Sequence, residues 1–402
     1  MKSAKAIIAV ALSAATLAAC DGGPVQPSGD PQLTLSADSV VVDLFKSSPL
    51  AATLRGASGT IQYVSRDSNV VTVDAGGAIL AVAAGSTYVV AALADRPDVR
   101  DSVRVRVHAD SCSGARPDFG GAATAADRDL FAYDAGAPLN LKKTVESTNN
   151  GVEASSISFS SPDGGVVTGM MWDPVTRPGP RPGVVVMHGL PGTAKGMAGA
   201  GQSYAQHGAV VIAIDAPFSR RTGPALTFTA QDRTEQIQVI KDLQRAVDVL
   251  RSRPNVDHGR IAYVGFSWGG ATGALFVGIE RRLKAAALVV GHAGQVSHAT
   301  GPVGHKIIAT LPCARRVAWV RAMAPVEPVR FVGYANVPLL LQNGRSDEFI
   351  PNYEAEELHR AAPEPRTIRW YDTGHSLGLK AQMDSHDWLS GQIGIDLPKP
   401  PG

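Results

Sequence analysis

Two textures of apolar and polar positions divide the chain. From Leu33 to Val107, short β-branched runs alternate with turn residues: Ser39-Val40-Val41-Val42, Ile61-Gln62-Tyr63-Val64, Val70-Val71-Thr72-Val73, Thr87-Tyr88-Val89-Val90 and Val103-Arg104-Val105-Arg106-Val107. The last run alternates apolar and basic side chains with period two, as a half-exposed strand should. Several such strands at close spacing predict a small β-sandwich over residues 32–108.

From about Ala126 the texture changes. Residues 157–160 and 166–172 predict a leading pair of strands. Gly183-Val184-Val185-Val186-Met187 and Ala209-Val210-Val211-Ile212-Ala213-Ile214 are continuous apolar runs, the pattern of parallel strands buried on both faces. Across residues 235–251, Ile237, Ile240, Leu243, Val247 and Leu250 share one helical face, and Pro254 follows its end. Further strands are predicted at 261–265, 285–290, 337–341 and 367–371. This alternation predicts an α/β fold over residues 126–402, a doubly wound, mostly parallel sheet covered by helices.

The stretches between these units carry little apolar material. Residues 20–31 are Gly, Pro and polar, and read as a flexible tether; residues 109–125 are Gly- and Ala-rich and read as a linker. Residues 292–335 form a long insertion between two predicted strands, a candidate lid over the site.

Composition narrows the class. Of 402 residues, 44% are hydrophobic and 18% charged, as in an ordinary globular protein rather than a disordered one. The net charge of +2 is nearly balanced, and the basic residues are scattered or merely doubled, as in Arg220-Arg221 and Arg315-Arg316. No basic stripe suited to nucleic acid is present. At the N-terminus, Lys2 and Lys5 precede an apolar run from Ala6 to Ala19, too short for the ~20 residues of a membrane span. Leu17-Ala18-Ala19-Cys20 resembles a bacterial lipoprotein signal, which implies removal of residues 1–19, a lipid on Cys20 and the membrane as partner. An ordinary secretory signal shares the same charged and apolar regions. Asp21 resembles an inner-membrane retention signal, so the expected location is the cell envelope, on its periplasmic side.

Export would place Cys112 and Cys313 in an oxidising space, where they could pair or remain thiols. No metal-ligand spacing or Cys-x-x-Cys motif occurs, and the irregular spacing of His292, His298 and His305 reads as loop or pocket-wall histidines. The expectation is therefore no metal and no cofactor.

The chemistry is carried by three short segments. Gly265-Phe266-Ser267-Trp268-Gly269 follows the apolar run Ile261-Ala262-Tyr263-Val264, and a serine so flanked fits a tight strand-to-helix turn that exposes its hydroxyl. Asp347 follows the run Leu339-Leu340-Leu341, and His375 follows Trp370-Tyr371. Nucleophile, acid and base thus stand in the order Ser, Asp, His, each just past a predicted strand. A serine hydroxyl needs an adjacent base, His375 suits that task near neutral pH, and Asp347 would hold the imidazole in its working tautomer. Glu348 is an alternative acid. Asp372 and Asp215 read as loop-forming residues, and Trp268 and Phe218 as pocket wall or core.

Together with His188-Gly189-Leu190-Pro191-Gly192 and Gly374-His375-Ser376-Leu377, these motifs make residues 126–402 resemble an α/β-hydrolase. The texture is closest to the dienelactone-hydrolase-like and acyl-peptidase-like branches. The resemblance implies an oxyanion hole from the backbone N–H of Trp268 and of Leu190, with His188 bracing that loop. Dienelactone hydrolases proper carry cysteine where this chain has Ser267, which points away from dienelactones toward a small-molecule ester, or else a peptide, as substrate. The N-terminal segment resembles the bacterial immunoglobulin-like domains through Tyr63, Ser65, Asp67, Val73-Asp74, Gly77, Gly85 and Val89, with Tyr63 where that family usually has tryptophan. A spacer holding the enzyme off the membrane is the expected role. The alternatives are a peptidase, and a non-catalytic adhesin that binds polysaccharide through the N-terminal segment.

Overall fold

A computed structural model describes residues 30–44, 46–108, 121–301 and 303–397. Cys20, its signal sequence and Cys112 lie outside the described residues.

The N-terminal segment is all β. Its strands are β1 (Gln32–Leu35), β2 (Ser39–Asp43), β3 (Ser47–Pro49), β4 (Ala52–Arg55), β5 (Ile61–Ser65), β6 (Val71–Val73), β7 (Ala78–Ala81), β8 (Gly85–Leu93) and β9 (Arg96–His108). They form sheets in the orders β2-β9-β8-β5 and β3-β7-β6, with β1 paired to β4. All pairings are antiparallel except that of β2 with β9. Period two holds through β9: Val99, Val103, Val105 and Val107 are buried while Arg100, Arg104 and Arg106 face solvent. Val103, Val105 and Val107 join Val42, Leu50, Val71, Ile79 and Val89 in one core cluster, and Val99 joins Leu33, Ala91 and Leu93 in a second, the core of a small β-sandwich.

The C-terminal region is built on β10 (Lys142–Asn149), β11 (Val152–Ser160), β12 (Val166–Asp173), β13 (Arg181–Met187), β14 (Val210–Ile214), β15 (Val256–Phe266), β16 (Ala285–Val289), β17 (Leu339–Gly344) and β18 (Arg366–Tyr371). Its helices are α1 (Ala125–Asp129), α2 (Ala198–Gln206), α3 (Ala230–Arg251), α4 (Trp268–Ile279), α5 (Gln295–Thr300), α6 (His305–Ile308), α7 (Cys313–Met323), α8 (Asn352–Ala361) and α9 (Gly378–Ile393). The nine strands form one sheet in the order β10-β11-β12-β14-β13-β15-β16-β17-β18. The three leading strands pair antiparallel and β14 onward is parallel.

Alternation across the sheet explains the continuous apolar runs. In β13, Val185 and Met187 pack with Ile240, Leu243 and Val247 of α3 and Leu275 of α4. Val184 and Val186 pack on the opposite face with Tyr204 of α2 and Leu389 of α9. Each residue from Val184 to Met187 is therefore apolar because each has a helix layer to meet. Strand β10 was not predicted: all eight of its residues are exposed, so Lys142-Lys143-Thr144-Val145-Glu146 carries no alternation to read. Helix α3 starts earlier than the apolar face implied, at a Thr229 cap whose side chain accepts the Gln231 N–H, because its first turn is polar.

Candidate active site

Strand order brings the motif loops together. β15 lies beside β13, and β17 beside β18, with β16 between the two pairs. Because these strands are parallel, the loops after β13, β15, β17 and β18 leave the sheet at one edge, where α/β sheets place their ligands.

Ser267 joins β15 to α4 with φ 56° and ψ −116°, a region that costs a non-glycine residue on the order of 1–3 kcal/mol. Neighbouring contacts hold it there. Its N–H donates to the Val289 carbonyl at 2.9 Å, its carbonyl accepts the Ala271 N–H at 3.0 Å, and the Tyr263 hydroxyl donates to the Gly269 carbonyl at 2.6 Å. Gly265 and Gly269 make the turn possible. A Cβ on Gly265 would collide with the Gly269 carbonyl, and one on Gly269 would lie 2.5 Å from the Met187 oxygen.

The loop after β13 crosses directly over this turn. A Cβ on Gly189 would lie 3.2 Å from the Ser267 Cβ. The Leu190 amide donates to no acceptor among the described residues, and the Trp268 amide, at the start of α4, has no helical partner. His188 fixes the loop: its Nε2 accepts the Ala216 N–H at 3.1 Å, so its Nδ1 carries the proton and donates to the Gly189 carbonyl at 2.7 Å. Burial holds its pKa below the ordinary histidine value, against the opposing pull of the Gly189 carbonyl and Asp215. Asp215 also braces this region, accepting the Ala194 N–H at 2.7 Å and the Thr168 hydroxyl at 2.6 Å.

His375 Nδ1 meets both Asp347 oxygens, at 2.8 and 3.0 Å. The Asp347 side chain is fully covered and His375 is about a quarter exposed. Burial pushes the Asp347 pKa up, but hydrogen bonds from His375 and from the Ile350 and Phe349 amides outweigh it and hold it below the usual carboxylate value. The rival acids go elsewhere. Glu348 accepts the His375 backbone N–H at 3.2 Å rather than its ring. Asp372 is exposed and pairs with Arg345 at 3.3 Å. The Ser267 hydroxyl makes no hydrogen bond to His375 in this structure; only the His–Asp limb of the expected triad is closed.

Two cavities flank these residues. One of about 400 Å³ is lined by Phe266, His375, Leu377, Tyr204, Gln342 and His386, among others. The second, only about 20 Å³, is bounded by Leu190, Trp268, Phe218, Gln236, and by Gln295 and Met323 of the 292–335 insertion. Trp268 and Phe218 are nearly buried and their rings meet edge to face at 5.0 Å, so they serve as both core and wall. The insertion is docked on α3 through the Trp319 Nε1 bond to Asp232 at 2.7 Å. Cys313 within it is disulfide-bonded; the pairing considered from sequence involves Cys112, outside the described residues.

Sequence reasoning missed three contributors. Phe349 stacks edge-on against the His375 ring at 5.1 Å; its position two residues past Asp347 was the available signal. Glu327 is buried and accepts the Val296 and Ser297 amides at 3.1 and 2.9 Å. Glu354 bonds His298 Nδ1 at 3.0 Å, a pairing across 56 residues that no local pattern encodes. His298 is pulled down by burial, but the Glu354 hydrogen bond and charge prevail and raise its pKa.

The parallel sheet, its antiparallel leading strands and the helices on both faces define a class, the α/β-hydrolases. The chain belongs to the dienelactone hydrolase family, whose sequence profile matches residues 167–385, more than half its length. Among solved structures, an acetyl xylan esterase from Paenibacillus sp. R4 is 19% identical with a TM-score of 0.54, covering 67% of this chain and 92% of that one. Acetyl xylan esterase 1 from Thermoanaerobacterium sp. JW/SL YS485 is 13% identical with a TM-score of 0.53, covering 66% and 92%. At such identities the likeness is one of fold. Curated protein sequences give no significant match.

Proposed function

We propose that this hydrolase cleaves carboxylic esters of small molecules through an acyl-enzyme on Ser267. The observation that carries the reading is the strained Ser267 turn beneath the Gly189 loop, on the sheet edge that also bears the closed Asp347–His375 pair. The Ser267 oxygen attacks the ester carbonyl as His375 Nε2 takes its proton. The Leu190 and Trp268 amides, both without an acceptor among the described residues, receive the oxyanion; such donors contribute on the order of 3 kcal/mol each to the transition state. Collapse expels the alcohol with the proton from His375, leaving the acyl group on Ser267. Water attacks that ester in turn, His375 takes its proton and returns it to Ser267, and the acid leaves. The open Ser267–His375 distance fits a hydrogen bond that tightens only when substrate is bound.

We further infer that residues 1–19 are a lipoprotein signal, that Cys20 carries the lipid, and that the N-terminal sandwich spaces the enzyme from the membrane. The resemblance of Leu17-Ala18-Ala19-Cys20 to lipoprotein signals supports this reading.

The direct test of the catalytic reading is Ser267→Ala, assayed on a short-chain nitrophenyl ester and with a fluorophosphonate probe. Turnover should fall by at least about 10⁴-fold and labelling should vanish. Near-normal turnover in that variant would refute the assignment.

A further inference from the structure

Two imidazoles and one carboxylate come together beside the proposed catalytic edge without any part in the acyl-transfer scheme. His292 stands in the loop after β16, the strand between those that lead to Ser267 and to Asp347. His298 is on α5 and Glu354 on α8. One ligand atom from each lies within 4.8 Å of the other two, and no other group of three such residues occurs among the described residues.

We propose that His292, His298 and Glu354 form a binding site for one divalent transition-metal ion of the zinc class. Two imidazoles with a carboxylate are the three-ligand set that leaves a fourth coordination position open. Nitrogen donors also disfavour magnesium and calcium, which take oxygen ligands. Ligand bonds of about 2.0–2.2 Å imply ligand-to-ligand edges of about 3.4 Å, so side-chain rotation must close the widest separation by up to about 1.4 Å.

The surrounding contacts orient these donors. His292 Nδ1 faces the Gly294 carbonyl at 3.1 Å; a carbonyl only accepts, so the proton is on Nδ1 and the Nε2 lone pair is free to bind. Glu354 Oε1 is held by the Tyr353 hydroxyl at 2.9 Å, leaving Oε2, which now bonds His298, to turn toward an ion. Such outer partners fix the tautomer and rotamer of metal ligands. His292 and Glu354 are almost fully buried, so the charge of an ion would be felt in a poorly screened interior. On binding, the ion replaces the His298–Glu354 hydrogen bond, and any proton shared there is released to solvent.

The test is direct binding to the full-length chain after chelator treatment and dialysis. Calorimetric titration with zinc chloride should give one equivalent with micromolar or tighter affinity, and cobalt(II) should produce the intense visible absorption of a four-coordinate site. Glu354→Gln and His292→Gln should each weaken zinc by about tenfold or more, while Ser267→Ala should bind it normally, which separates this site from the proposed nucleophile. Absence of stoichiometric binding by the unaltered chain overturns the proposal. So does binding that both variants retain at full strength, which would place the ion on a surface histidine. If a variant fails to fold by circular dichroism, the cobalt spectrum of the unaltered chain decides: a weak, six-coordinate spectrum overturns the site.

Discussion

At the scale of single residues, the arrangement assigns separate tasks to adjacent acids. Asp347 holds the imidazole of His375, whereas Glu348 holds only its backbone amide. Asp347→Asn should therefore lower kcat by about 10³–10⁴-fold with little change in KM, because the wrong tautomer of His375 is then favoured. Glu348→Gln, which keeps an acceptor for the amide, should cost less than about tenfold; steady-state kinetics on one ester separates the two, and equal losses would mean the roles are shared. Glu327 gives a second residue-level expectation. Burial pushes its carboxyl from 4.5 up to about 7, more than the Ser297 and Val296 amides pull it down. The folded state thus holds a proton that the unfolded chain releases. Its contribution to stability is complete below the unfolded value near 4.5 and is lost as pH rises to about 7. Across pH 5–7.5, Glu327→Gln should show a flatter melting profile than the unaltered chain, by on the order of 3 kcal/mol. Parallel profiles would contradict the shift.

Among the elements, the β15–α4 turn is the most constrained. Its φ of 56° at Ser267 persists because the Val289 carbonyl, the Tyr263 hydroxyl and two glycines over-determine it. Gly265→Ala places a methyl group against the Gly269 carbonyl, which must displace either β15 or α4. A loss of at least about 2 kcal/mol in denaturant unfolding is expected, with activity falling further than stability. Unchanged stability would mean that the turn is looser than its contacts imply. The 292–335 insertion is the counterpart among the loops. Through Gln295 and Met323 it lines the small cavity beside Leu190 and Trp268, whereas none of its described residues lines the larger cavity beside His375.

For the whole molecule, the sandwich and the hydrolase each bury their own core clusters. If Cys20 is the anchor and the sandwich a spacer, the chemistry does not depend on the membrane. Cys20→Ala should move the esterase activity from the membrane pellet to the soluble fraction with kcat/KM on a soluble ester unchanged within about twofold. Activity that stays in the pellet would count against the lipid anchor.

What the sequence determined by itself was the type of each strongly patterned element and the order of the catalytic candidates. Strands β14 and β16 are apolar throughout, and β13 from Val184 to Met187, because both faces are covered, and β9 alternates because one face is wet. Ser267, Asp347 and His375 were legible because each lies just past a predicted strand. Hydrophobic periodicity is a local property, so it names an element without reference to its neighbours. Tertiary structure decided what depends on strand order and long-range packing. It separated Asp347 from Glu348, carried the polar strand β10 to the sheet edge, and brought Glu354 to His298 and His292. Those outcomes rest on pairings between distant segments, and no window of neighbouring residues contains them.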